Sequence, residues 1–148
     1  MLKVGQKAPA FTAINEHEKT VSLKDYAGKK LVLYFYPQDN TPTCTEEACN
    51  LSDNYHRFQA LGYSILGVSP DSAKKHRNFI KKFNLPFNLL ADADLAICNS
   101  YGVWGEKTTF GRTYMGVIRT TFIIDEQGNI EKIIEKVTAK SHSEQLLG

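Results

Sequence analysis

The residue types and spacing best suited to chemistry lie in Tyr36-Pro37-Gln38-Asp39-Asn40-Thr41-Pro42-Thr43-Cys44-Thr45-Glu46-Glu47-Ala48-Cys49. Thr41-Pro42 opens a segment with helical spacing, and Cys44 falls in its first turn. The first backbone N–H groups of a helix have no intrahelical partner, and the helix dipole there favours negative charge. That position favours a thiolate over a thiol, and only the thiolate is a competent nucleophile. Cys44 is the leading candidate for a reactive group.

Cys49 lies five residues further along the same segment. Helix geometry puts the two Cα atoms ~8.5 to 9 Å apart, whereas a disulfide needs less than ~7 Å. The pair can bond only if the first turn or two of the helix unwinds. A thiolate that takes an oxygen from a peroxide to become a sulfenic acid, followed by a second thiol that condenses with it, is chemistry this arrangement would support.

These residues need elements to position them. Leu31 to Tyr36 is a continuous apolar run without alternation, which predicts a central strand covered on both faces. Ala48, Leu51, Tyr55, Phe58 and Leu61 predict one amphipathic helix ending at Gly62. Tyr63 to Val68 then closes a βαβ unit with parallel strands. Ligands of open α/β sheets sit outside the carboxyl ends of strands, where Thr41 to Cys44 would lie.

Upstream, residues 9 to 23 predict a small antiparallel β unit. Downstream come a helix over Ala73 to Phe83, a strand over Pro86 to Leu90, and a short helix over Asp92 to Tyr101 holding Cys98. Residues 102 to 113 are expected as a polar loop anchored by Trp104 and Phe110. Tyr114 to Asp125 and Ile130 to Val137 are expected as a hairpin. Ser141-His142-Ser143-Glu144 has the pattern of a capping box, but the helix it announces runs for about one turn, as if truncated. The fold class is α/β, a mixed sheet with helices on both sides and an N-terminal β-hairpin.

The 148 residues suit a single domain spanning the whole chain, with no linker or repeat. A formal net charge of +2, spread along the sequence, gives no electrostatic case for nucleic acid or membrane. Lys74-Lys75-His76-Arg77 fits a solvated helix face, and His17, His56, His76 and His142 show no partner pattern and are expected on the surface. The stretch from Met1 to Pro9 has no apolar leader and no run reaches membrane-spanning length, so a cytoplasmic location is expected. Three cysteines, an odd number, do not make a structural framework. Neither a complete zinc ligand set nor a GxGxxG or GxxxxGK[ST] motif is present. A thiol–disulfide oxidoreductase would call for C-x-x-C, which is also missing. A binding module switched by redox unwinding of the helix is the rival of a different class.

Pro37-x-x-x-Thr41-x-x-Cys44 resembles the active-site signature of the peroxiredoxins, and the C-x4-C placing of Cys49 resembles their bacterioferritin-comigratory or Q-type atypical two-cysteine subfamily. The likeness extends through Gly5 to Phe11, Tyr34 to Pro37, Gly67-Val68-Ser69 and Arg119 to Asp125. It implies a thioredoxin-like fold and thiol-dependent reduction of hydrogen peroxide and organic hydroperoxides. No cofactor is implied beyond an external dithiol, usually thioredoxin, and a monomer is common in the subfamily. It makes Cys44 peroxidatic and Cys49 resolving. Thr41 would bond the sulfur and the peroxide, Pro37 would shield the pocket, and Arg119 would favour the Cys44 thiolate and stabilise the departing oxygen. Glu47 would hold that arginine. Thr43 stands where the subfamily often has glycine, and Cys98 fits a buried apolar position.

Overall fold

Local sequence divides the chain into short strands and helices. They are β1 (Thr12–Asn15), β2 (Thr20–Ser22), β3 (Lys30–Phe35), α1 (Pro42–Asp53), α2 (Tyr55–Ala60), β4 (Tyr63–Ser69), α3 (Ala73–Phe83), β5 (Asn88–Ala91), α4 (Ala96–Ser100), β6 (Trp104–Thr109), β7 (Arg112–Val117), β8 (Thr120–Ile124), β9 (Ile130–Ile134) and α5 (His142–Leu147). The computed structural model describes residues 2–148; Met1 of the N-terminal stretch lies outside them.

Seven strands form one mixed sheet in the order β2-β1-β5-β4-β3-β8-β9. β3, β4 and β5 run parallel, while β8 lies antiparallel to β3 with Thr120 opposite Phe35. The N-terminal hairpin joins this sheet through β1 and β5. As the unalternating run predicts, β3 is buried on both faces. Leu31, Leu33 and Phe35 enter a layer closed by α4 through Ile97 and Cys98. Val32, Tyr34 and Tyr36 enter the opposite layer, closed by α1, α2, α3 and α5 through Leu51, Phe58, Phe79 and Leu146. No described helix is long and apolar enough to cross a membrane.

Five expectations are corrected. The helix after Cys44 is two helices, broken at Asn54 (φ −107°, ψ 10°). Asn54 turns its amide onto the Asn50 carbonyl and accepts from Arg57, so its side chain competes with the backbone pattern. Leu61 is consequently exposed.

Residues 102 to 113 are not a loop anchored by Phe110. β6 and β7 form a two-stranded ribbon whose turn residues, Phe110 (φ 51°) and Gly111 (φ 77°), both take positive φ as a tight hairpin requires. Phe110 stands 99% exposed at the tip. The expected long strand from Tyr114 is interrupted at Ile118–Arg119.

His76 and His142 are fully buried rather than on the surface, because each ring nitrogen finds a polar partner inside. The capping box does not form: Ser141 makes no side-chain cap, and Glu144 pairs with Arg57 at 2.7 Å. α5 is held instead by Asn50, whose Oδ1 accepts from Ser143 N at 2.7 Å and whose amide donates to Lys140 O at 2.9 Å.

Candidate active site

α1 begins where the sequence dictates. Thr41 is extended (φ −93°, ψ 156°), Pro42 takes the first helical position, where a missing N–H costs nothing, and Cys44 is the third helical residue. The Thr41 hydroxyl donates to Gln38 O at 3.1 Å rather than to the sulfur, tying the loop to the helix start. Pro37 is half-buried in the link after β3.

The antiparallel register decides what meets this helix. Thr120 sits opposite Phe35, so the link just before β8 arrives beside the end of β3. Arg119 occupies that link and reaches α1 from 75 residues away. Its Nη2 donates to Cys44 Sγ at 3.1 Å and its Nη1 to Glu47 Oε1 at 2.6 Å. Cys44 and Glu47, three apart on one helix face, are thus bridged by one guanidinium. Burial disfavours the arginine's charge, but Glu47 and Cys44 outweigh it and raise its pKa.

Glu47 is completely buried. Burial pushes its carboxyl up to about 7, against the pull of Arg119. Beneath it the Tyr34 hydroxyl is buried without a partner, its pKa raised by burial and then by Glu47. Gly67 makes room for this ring: a Cβ there would come within 2.6 Å of Leu89 Cδ2 and 2.9 Å of Tyr34 Cζ.

A second polar group, one that sequence reasoning missed, fixes the loop before α1. Tyr36 donates to Asp39 Oδ1 at 2.5 Å, and His76 Nδ1 lies 2.6 Å from Asp39 Oδ2. The other ring nitrogen of His76 donates to Leu90 O at 2.9 Å. Asp39 N donates to Asp71 Oδ2 at 2.7 Å. The only sequence trace of this cluster is an acid three residues after Tyr36; its histidine lies on a helix with an otherwise charged face.

Cys49 is half-buried, and burial followed by Asp53 raises its thiol pKa. Cys98 is fully buried in the layer on the other side of the sheet from Cys44. Burial and a hydrogen bond to Asp92 raise its thiol far above the ordinary range. The site residues named from the sequence divide accordingly. Cys44, Arg119 and Glu47 are in direct contact, Thr41 and Pro37 lie in the adjoining loop, and Cys49 sits further along α1.

A helix start that carries a cysteine is thus met by an arginine from the link between β7 and β8. Residues 4–133 match the family model described as AhpC/TSA family. The chain belongs to the AhpC/TSA family. It is 46% identical over 147 residues to a putative peroxiredoxin bcp of Coxiella burnetii, covering 99% of this chain and 97% of that protein. It is 48% identical over 141 residues to peroxiredoxin Bcp of Bacillus subtilis, covering 95% and 90%. Among solved structures, the bacterioferritin comigratory protein of Xanthomonas campestris, described for alkyl peroxide reduction activity, superposes with a TM-score of 0.90 at 33% identity. That match covers 98% of this chain and 95% of the other. A cysteine-to-serine variant of PrxQ from Xylella fastidiosa gives 0.93 at 30% identity over 99% and 94%. This peroxiredoxin is therefore a thiol peroxidase on a thioredoxin-like fold.

Proposed function

We propose that Cys44 is the peroxidatic thiol and Cys49 the resolving thiol of an atypical two-cysteine cycle on one chain-long domain. The observation that carries this reading is the 3.1 Å contact from Arg119 to a cysteine in the first turn of α1. A cation there stabilises the thiolate, and then the charge that builds on the leaving oxygen.

Cys44 thiolate attacks one peroxide oxygen, the O–O bond breaks, and the departing alkoxide or hydroxide takes a proton to leave as alcohol or water. The sulfenic acid then condenses with the Cys49 thiol, releasing water and forming the disulfide. An external dithiol reduces that bond by exchange.

Both cysteines lie in α1, so the second step requires its first turns to unwind. When peroxide binds, Thr41 turns its hydroxyl from Gln38 O to the peroxide, and Pro37 shields the sulfur from water. Glu47 holds the arginine through a 2.6 Å bond. Hydrogen peroxide and small organic hydroperoxides are the proposed substrates, as the alkyl peroxide activity of the Xanthomonas relative suggests. Thioredoxin is the proposed reductant and a cytoplasmic monomer the proposed form.

The test is the intact mass of the reduced protein after one equivalent of hydrogen peroxide, with the disulfide mapped by proteolysis. A Cys44–Cys49 bond formed within the reaction supports the assignment. A bond to Cys98, or no reaction at Cys44, would remove it.

A further inference from the structure

His142 is buried, has no part in the cycle described above, and is held by three elements. Its Nδ1 lies 2.9 Å from Gln145 Oε1. That oxygen is the carbonyl end of the amide, because Gln145 Nε2 donates to Lys136 O and Oε1 also accepts from Thr138 N. A carbonyl oxygen can only accept, so the hydrogen of the ring is on Nδ1. In the neutral ring Nε2 is then an acceptor, and Thr121 Oγ1 at 2.8 Å donates to it.

The same Nε2 stands 3.5 Å from Glu47 Oε2, an oxygen that is buried and has no hydrogen-bond partner. Glu47 Oε2 has no donor and faces the acceptor side of Nε2, and two acceptor atoms facing each other in a dry interior repel. One proton between them turns the repulsion into attraction.

We propose that Glu47 and His142 hold one proton between them behind the Arg119–Cys44 pair, making His142 a positioning residue that sets the charge on Glu47. With the proton on Glu47 Oε2, Oε1 still accepts from Arg119 Nη1 while the carboxyl carries no charge. The charge of Arg119 is then directed undivided at Cys44. When the proton leaves, an anion appears on the same helix face as the thiolate and competes for the guanidinium.

The ionisable groups facing Glu47 are Arg119 from the β7–β8 link, His142 from α5, Cys44 from α1 and Tyr34 from β3. Burial favours the protonated carboxyl and Arg119 the ionised one; the acceptor nitrogen of His142 facing Oε2 adds to the side of the protonated form. The directions agree with this balance: burial raises Glu47 to about 7, and burial, ahead of Arg119, lowers His142.

This inference rests on Cys44 being the attacking thiol, and its test is read in two ways so that the two ideas can fail separately. The first is the infrared carboxylic-acid band of the reduced full-length protein, titrated from pH 5 to 9 in native protein and Glu47→Gln. A buried band that bleaches near neutrality and is missing from Glu47→Gln is expected, whatever the activity. Its absence at low pH overturns the proposal.

The second is the pH profile of the single-turnover rate with hydrogen peroxide. His142→Gln puts an amide donor where Nε2 accepts, so it stabilises the ionised carboxyl. The inflection due to Glu47 is expected to move down by about one pH unit or more, with the rate at neutral pH several-fold lower. In Glu47→Gln, an isostere of the protonated acid, that inflection disappears. Ser143→Ala loosens α5 on Asn50 without touching Glu47 and leaves the inflection in place. An unchanged profile in folded His142→Gln, or the same displacement in Ser143→Ala, overturns the proposal.

Discussion

Arg119 donates to Cys44 Sγ at 3.1 Å although 75 residues separate the two in the chain. The contact exists because β8 lies antiparallel to β3, which returns the chain to the end of the strand from which α1 departs. A cation carried by the link into β8 and a sulfur carried by a helix start meet beside the end of β3.

Replacing Arg119 with alanine is expected to slow single-turnover peroxide reduction at neutral pH by about 100-fold, the usual cost of losing a charge-stabilising donor. The fold is retained, because Glu47 protonates in place of its lost partner and avoids an unpaired buried charge. Stopped-flow rates alongside a urea melt check both halves of this expectation. A rate within a few-fold of native would take Arg119 out of the chemistry.

Cys49→Ser should consume one equivalent of peroxide and then stop, with one oxygen atom added at Cys44 and further oxidation under excess peroxide. Mass spectrometry after trapping the sulfenic acid reads this directly. Sustained turnover with a dithiol protein would mean that Cys49 does not resolve.

Asn50 fastens α1 to the C-terminal segment through Ser143 N and Lys140 O. Asn50→Ala loses both side-chain bonds, at a cost of about 1–2 kcal/mol. Since the proposed Cys44–Cys49 disulfide requires α1 to unwind, the same change is expected to speed its formation several-fold while leaving the peroxide step alone. Rapid-quench sampling of the two steps separates them; slower disulfide formation would show that the clamp guides the transition instead of resisting it.

Stability should depend on pH through Glu47. Its carboxyl is raised from the ordinary 4.5 to about 7, so between those values the folded protein keeps a proton that the unfolded chain has shed. Stability from this group therefore falls as pH rises through that window, by on the order of 3 kcal/mol, and is level above it. His142, lowered by burial, acts with the opposite sign below its ordinary 6.5. Urea unfolding of native protein and Glu47→Gln at pH 5 and pH 7.5 isolates the first effect, and equal losses in both would refute it.

Much of this was legible in the sequence. The unalternating run Leu31–Tyr36 specified a strand buried on both faces, and Thr41-Pro42 specified a helix whose third residue is Cys44. Both are local facts, set by side-chain period and by the backbone restriction of proline. The spacing of Cys44 and Cys49 likewise fixed that they cannot bond in an intact helix.

Tertiary structure decided the rest. Which charge meets Cys44 depends on strand register, which no local pattern carries. Asn54 broke the long helix and Phe110 turned outward because a side-chain bond and a tight-turn backbone overrode hydrophobic spacing. The proton partner of Glu47 was invisible for the same reason. His142 reads as a polar residue in a short exposed tail until α5 folds onto α1 and buries it against a carboxylate 95 positions earlier in the chain. Burial is what turns an ordinary acid and an ordinary histidine into a coupled pair, and burial is a property of the packed chain alone.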